Sequence, residues 1–133
     1  LKALLDEVKD RYNVDQDRVY LTGLSMGGQG AWLLACKYPK EFAAVAPVCG
    51  KSDPFAAFRL IDANVPVWAF HGEDDNVIPV SHSMDMVQTI RDGGGQAKLT
   101  LYPGIGHNSW DRAYNEPQLY QWFLENERIR GIE

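Results

Sequence analysis

The residue best placed to do chemistry is Ser25, at the centre of Gly23-Leu24-Ser25-Met26-Gly27. This pentapeptide has the G-x-S-x-G pattern and lies between a β-rich run and a helical one. Such a turn holds its serine in a strained backbone conformation, and flanking residues without side chains keep neighbouring segments from clashing. The hydroxyl then stands clear at the end of a strand. The helix that follows aims its N-terminus at the same place, where free N–H groups and the helix dipole favour negative charge. Met26 N–H is the natural donor to an oxyanion there. Leu24, on the other side of the serine, is a candidate to touch substrate. A Gly-rich strand-to-helix turn with an idle serine has the same five residues, so partners must come from elsewhere in the chain.

A serine hydroxyl is a weak nucleophile. It needs a base, and the base needs an acid to orient it. The chain has three histidines. His107 lies in Pro103-Gly104-Ile105-Gly106-His107-Asn108, a Gly-rich loop that follows a strand-like run. It therefore shares with Ser25 a position at the carboxyl end of a strand, where reactive groups of open α/β sheets gather. His71 meets that condition too, but directly before Gly72 it reads as a structural hydrogen-bonding residue of its own turn. His82 reads as a solvent-facing helix residue. For the acid, His71-Gly72-Glu73-Asp74-Asp75-Asn76-Val77-Ile78-Pro79 offers three carboxylates, Glu73, Asp74 and Asp75. Spacing alone does not choose among them.

These groups need a scaffold, and the hydrophobic pattern supplies one. Residues 1–12 place Leu1, Leu4, Leu5, Val8 and Tyr12 on one helical stripe. Residues 18–22 are a short β-rich run, and 26–38 read as a helix stopped by Pro39. Residues 43–49 are the next apolar run. Residues 54–62 read as a short helix with Asp53 as its cap. Residues 66–71 are a third strand, apolar on both faces. Residues 80–91 form a helix closed by Gly93, Gly94 and Gly95 in a left-handed cap and loop. Residues 98–102 are a fourth strand. Asn115, followed by Pro117, starts a last helix that buries Leu119, Trp122 and Phe123. Strands alternating with helices imply the α/β class, with a mainly parallel sheet of about four strands flanked by helices. Near-continuous apolar strands agree, since such strands are buried on both sides.

Bulk properties limit the partners. A chain of 133 residues fits one domain, expected here over residues 1–133. Hydrophobic residues at 45% and charged residues at 23% suit a globular protein rather than a disordered one. A net charge of -5 argues against nucleic acid and anionic membrane, which both call for a basic face. No apolar run approaches the roughly 18 residues of a membrane span. Cys36 and Cys49 have neither metal-ligand nor CxxC spacing and read as small buried residues. They leave the compartment open. The chain begins inside an amphipathic pattern with no initiator Met and no signal peptide, as a processed or partial chain would. No metal is expected, since HExxH and Cys/His clusters are lacking. No cofactor is expected either, since Gly27-Gly28-Gln29-Gly30 lacks the lysine and spacing of a phosphate-binding loop.

The sequence resembles the α/β-hydrolase superfamily. Within it, the likeness is to the esterase group often labelled predicted peptidases or phospholipase/carboxylesterases, close to feruloyl esterases and polyhydroxybutyrate depolymerases. The stretches that carry the resemblance are GLSMGGQGAW at 23–32, FAAVAPVCG at 42–50, FHGEDDNVIPV at 70–80, YPGIGHNSW at 102–110 and the late NEPQLYQWFL. The order serine, acid, histidine is the one such hydrolases use. In these families the acid lies in an HGxxDxxVP-like segment, matched here by His71, Gly72, Asp75, Ile78 and Pro79, with Ile for the usual Val. The resemblance therefore selects Asp75 as the acid, with Ser25 as nucleophile and His107 as base. It implies a carboxylic ester hydrolase acting through an acyl-enzyme on short-chain or aryl esters, with Trp110 lining the substrate pocket or anchoring the last helix.

The resemblance also implies parts that these residues lack. Full-length members carry several strands before the first helix, and a loop there supplies a second oxyanion N–H. Residues 1–22 contain no such stretch, and one missing donor typically costs about 10²–10³ in kcat. The first strand should then have an open edge, which favours pairing with another chain and predicts a homodimer or larger assembly. Two other functions share these residues. One is a serine peptidase or thioesterase with the same triad. The other is a silent fragment or structural half that needs a partner segment.

Overall fold

The computed structural model describes residues 1–128; residues 129–133 of the expected domain lie outside the described part. In chain order it contains α1 (Lys2–Arg11), β1 (Tyr20–Leu24), α2 (Met26–Lys37), β2 (Ala44–Val48), α3 (Ala57–Asp62), β3 (Val67–Gly72), α4 (Ser81–Asp92), β4 (Ala97–Tyr102), α5 (Trp110–Tyr114) and α6 (Pro117–Glu125). A 3₁₀ turn at Pro54–Ala56 leads into α3, and the Asp53 side chain caps it by accepting from Phe55 N–H.

The strands form one parallel sheet in the order β1-β2-β3-β4. Every residue of β2 and β3 is buried, which explains their lack of polar alternation. Their side chains still divide between the two faces. Val45, Val67 and Ala69 join a core with α2, α3 and α4, while Ala44, Ala46, Val48, Trp68 and Phe70 join a second core with α5 and α6. The register pairs Val45 with Val67 and Val48 with Phe70, so like faces meet. α2 buries Gly28, Ala31, Trp32 and Ala35, and α4 buries Ser83, Met86, Val87 and Ile90. Both sets follow the i, i+3, i+4, i+7 spacing of one helical face. Beyond α4, Gly94 adopts the positive φ of +83° expected of the glycine run.

All three crossover connections thus lie on one face, and α5 and α6 return across the other. Phe123 stacks on Tyr20 of β1 at 5.0 Å, and the Tyr20 hydroxyl donates to Asn126 O at 2.9 Å. Both cysteines are buried and free, as read from the sequence, and burial pushes the Cys36 thiol up to about 11.

Three expectations need correction. The stripe on α1 is not a buried face: Leu1, Leu4, Val8 and Tyr12 are exposed, and Leu5 alone of the five packs on the core. Ion pairs from Lys2 and Lys9 to Glu41 hold α1 at the molecule's side instead. The last helix is capped by the Glu116 side chain, which accepts from Gln118 N–H, rather than begun by Asn115. Asn115 ends α5, a helix of five residues that is too short to show periodicity. The first strand also runs further than expected, through Gly23 and Leu24, so the turn at Ser25 is immediate.

Candidate active site

Ser25 occupies the single residue between β1 and α2, with φ 54° and ψ -115°. Its N–H donates to Val48 O of β2 at 2.9 Å, which ties the turn to the sheet. Gly23 is required here, because a Cβ at that position would lie 2.2 Å from Gly27 O. Gly27 is not required in the same way: its Cβ would meet open space. The first i to i−4 bond of α2 is Gln29 N–H to Ser25 O at 3.0 Å. The amides of Met26, Gly27 and Gly28 precede it and are the free donors of a helix N-terminus. The Met26 side chain is 83% exposed, so its part in any site is through its backbone.

Two loops beyond β3 and β4 bring the other groups to Ser25. A Cβ on Gly72 would lie 2.2 Å from Gly106 O, so glycine lets the loops touch. Asp74 N–H donates to Ile105 O at 2.9 Å and Glu73 N–H to Tyr102 O at 3.1 Å. Between these stitches the side chains line up. Ser25 Oγ is 2.8 Å from His107 Nε2, and His107 Nδ1 is 2.8 Å from Asp75 Oδ2. A carboxylate only accepts, so Nδ1 carries the ring hydrogen and Nε2 is free to accept from the serine. Glu73 and Asp74 are exposed, whereas the Asp75 side chain is fully buried.

Burial by itself raises the Asp75 pKa. The His107 N–H and the amides of Ile78 and Val77 more than offset it, and the carboxyl sits below its ordinary value. The two amides reach Oδ1 at 2.8 and 2.9 Å, which leaves Oδ2 for His107.

The other histidines differ from each other. His71 is buried and bonds within its own neighbourhood, Nε2 to Ile78 O at 2.8 Å and Nδ1 to Ser83 Oγ at 2.7 Å. That agrees with its reading as a structural residue. His82 is not solvent-facing: it is half-buried and its Nδ1 accepts from Ser52 N–H at 3.3 Å. The loop after β2 reaches across to it, a contact between segments thirty residues apart that helical periodicity does not carry.

Leu24 ends β1 beside Ser25 and is 37% exposed. Trp110 stands edge-on to the His107 ring at 5.5 Å and also packs on the core of α5 and α6. The core contact agrees with the reading of Trp110 as an anchor for the last helix. Sequence reasoning gave no site role to Cys49, which follows β2 with φ 43° and is buried. Its sulfur lies within 4.8 Å of ligand atoms of Asp75 and His107. This trio suits a metal poorly: two members are bonded to each other, and burial pushes the Cys49 thiol up and keeps it protonated.

A parallel sheet with a serine on the turn after one strand, and an acid and a histidine on loops after two others, defines the α/β-hydrolase fold. The Dienelactone hydrolase family matches residues 1–119, and the chain belongs to that family. It is 33% identical over 92 residues to a bifunctional acetylxylan esterase/xylanase of Neocallimastix patriciarum, covering 69% of this chain and 13% of the relative. Among solved structures, a thermostable esterase superposes with a TM-score of 0.91 at 36% identity, over 96% of this chain and 36% of that one. An acylaminoacyl peptidase of Pyrococcus horikoshii shares the fold alone, with a TM-score of 0.77 at 14% identity over 98% of this chain and 28% of that one. The chain spans well under half the length of each of these relatives. Among the described residues, no helix is long and apolar enough to cross a membrane.

Proposed function

We propose that this chain carries the catalytic groups of a serine carboxylic ester hydrolase. The observation behind this reading is the unbroken line of short contacts from Ser25 Oγ through His107 to Asp75. In the first half-reaction Ser25 Oγ attacks the ester carbonyl carbon while His107 Nε2 takes its proton. The negative charge that develops on the carbonyl oxygen faces Met26 N–H. The intermediate collapses, His107 gives its proton to the departing alcohol, and an acyl-serine remains. His107 then deprotonates a water that attacks the acyl carbon, and the acid leaves as Ser25 regains its proton. Asp75 holds the ring in one tautomer and stabilises the imidazolium in both halves.

Short-chain or aryl esters are the proposed substrates. The acetylxylan esterase name of a relative supports a small acyl group. Leu24 and Trp110 flank the reacting pair in the sequence and are the proposed contacts to substrate. The test is hydrolysis of p-nitrophenyl acetate by the wild type and by Ser25→Ala. The variant should lose at least about 10³-fold in kcat. Equal rates would refute the reading.

One observation favours a second reading, that the chain is a structural part needing further cover. β1 lies at a margin of the sheet, and Leu1, Leu4, Val8 and Tyr12 of the α1 stripe are exposed. We propose that a second copy covers this edge, giving a homodimer or larger assembly.

A further inference from the structure

Asp75 orients the base, and it has a second imidazole against it. His71 is 0% exposed at the end of β3. Its Nε2 is 2.8 Å from Ile78 O and 3.3 Å from Asp75 Oδ2, the oxygen that also takes the His107 N–H. A carbonyl and a carboxylate both only accept, so Nε2 must carry the ring hydrogen. Nδ1 then accepts from the Ser83 hydroxyl of α4 at 2.7 Å. That N–H donates to Ile78 O, and the Asp75 carboxylate lies close beside the same nitrogen as an electrostatic neighbour. The same turn supplies the Val77 and Ile78 amides that hold Asp75 Oδ1. A residue that merely closed its own turn would need the Ile78 carbonyl alone. The approach to Oδ2 goes beyond that need.

We propose that His71 is a positioning residue for the acid, its Nε2–H bond to Ile78 O fixing the turn at residues 75–78 so that Asp75 keeps Oδ2 aimed at His107. This rests on the reading of Ser25, His107 and Asp75 as a triad. Burial holds His71 below the ordinary histidine range, against the opposing pull of Ile78 and Asp75, so the ring is neutral at pH 7. Its neutrality leaves the Asp75 charge to His107. Cys49, whose thiol stays protonated, also lies near this carboxylate, and His82 acts on His71 from α4.

The test uses His71→Gln, which returns an amide N–H close to the Nε2 position, and His71→Leu, which fills the space without a donor. Nitrogen-15 NMR of the wild-type rings reads tautomers and titrations without any turnover. His71 should be neutral with hydrogen on Nε2. In His71→Leu, a carboxylate free to swing should grip the His107 Nδ1 hydrogen less firmly, so the low-field proton resonance of that N–H should weaken or be lost to exchange. His71→Gln should restore most of it. With p-nitrophenyl acetate, His71→Leu should lose about 10²-fold in kcat with little change in KM, as small misplacements do. His71→Gln should recover most of the loss. A wild-type His71 with hydrogen on Nδ1 would overturn the proposal, and would do so even if the Leu variant failed to fold. So would a folded Leu variant with an unchanged His107 Nδ1–H resonance and unchanged kcat, whatever its melting temperature. Absence of ester hydrolysis by the wild type would defeat the triad reading, while the NMR arm would still decide how His71 holds Asp75.

Discussion

Ser25 sits at φ 54°, a conformation that costs a non-glycine residue about 1–3 kcal/mol. Glycine adopts it freely. Ser25→Gly should therefore stabilise the chain by about 1 kcal/mol in urea unfolding while abolishing hydrolysis, the signature of strain kept for function. The acid can be tested at the same scale. Asp75→Asn should lower kcat by about 10⁴ through the wrong histidine tautomer, and Asp74→Asn at its exposed site should change it by about twofold at most. Acid stability follows from the same groups. Asp75 has a lowered folded pKa, so its contribution is present above the unfolded value and is lost as pH falls through the folded one. His71 is also lowered: below about pH 6.5 the unfolded chain takes up its proton and the folded chain resists. Both terms have one sign, and urea midpoints should fall from about pH 6.5 downward. Ser25 and His107 were legible because each sits in a local motif. Asp75 needed the family pattern, since burial separates it from Glu73 and Asp74 and spacing does not. The contacts of His71 with Ser83 and of His82 with Ser52 were not legible, because each partner comes from another element.

At the scale of elements, the strands were legible from composition. Residues 67–70, for example, are apolar throughout and buried throughout. Phe70 stacks between Trp68 and Tyr102 and is 0% exposed. Phe70→Ala should cost about 3–5 kcal/mol in urea unfolding. Leu4→Ser, at 57% exposure on α1, should cost less than about 0.5 kcal/mol. A buried α1 stripe would reverse that expectation. Helical periodicity announced α1 as amphipathic, yet a periodic stripe says only that a face wants cover, not that the chain supplies it. α5 escaped notice for the opposite reason: five residues hold too few turns to set a period.

At the scale of the whole molecule, the strand order puts β1 and β4 at the two margins of the sheet. β1 pairs with β2 on one side, and Leu1, Leu4 and Val8 are exposed. If a second copy covers the margin at β1, light scattering at micromolar concentration should give a dimer or larger species, and charged substitutions at Leu4 and Val8 should dissociate it. A strict monomer would count against the assembly while leaving the chemistry untouched. The position of β1 at a margin of the four strands agrees with the expectation drawn from the resemblance. The return of α5 and α6 across the second face was not legible, because it depends on Tyr20 meeting Phe123 across the length of the chain.

The most direct measurement is to trap the acyl group. The wild-type chain is mixed with p-nitrophenyl acetate, quenched in acid within the first turnover, digested and analysed by mass spectrometry. The expected result is one acetyl group on the peptide holding Ser25, and none in Ser25→Ala. An acetyl group on another residue, or p-nitrophenol release at the same rate from both chains, would contradict a mechanism built on Ser25, His107 and Asp75.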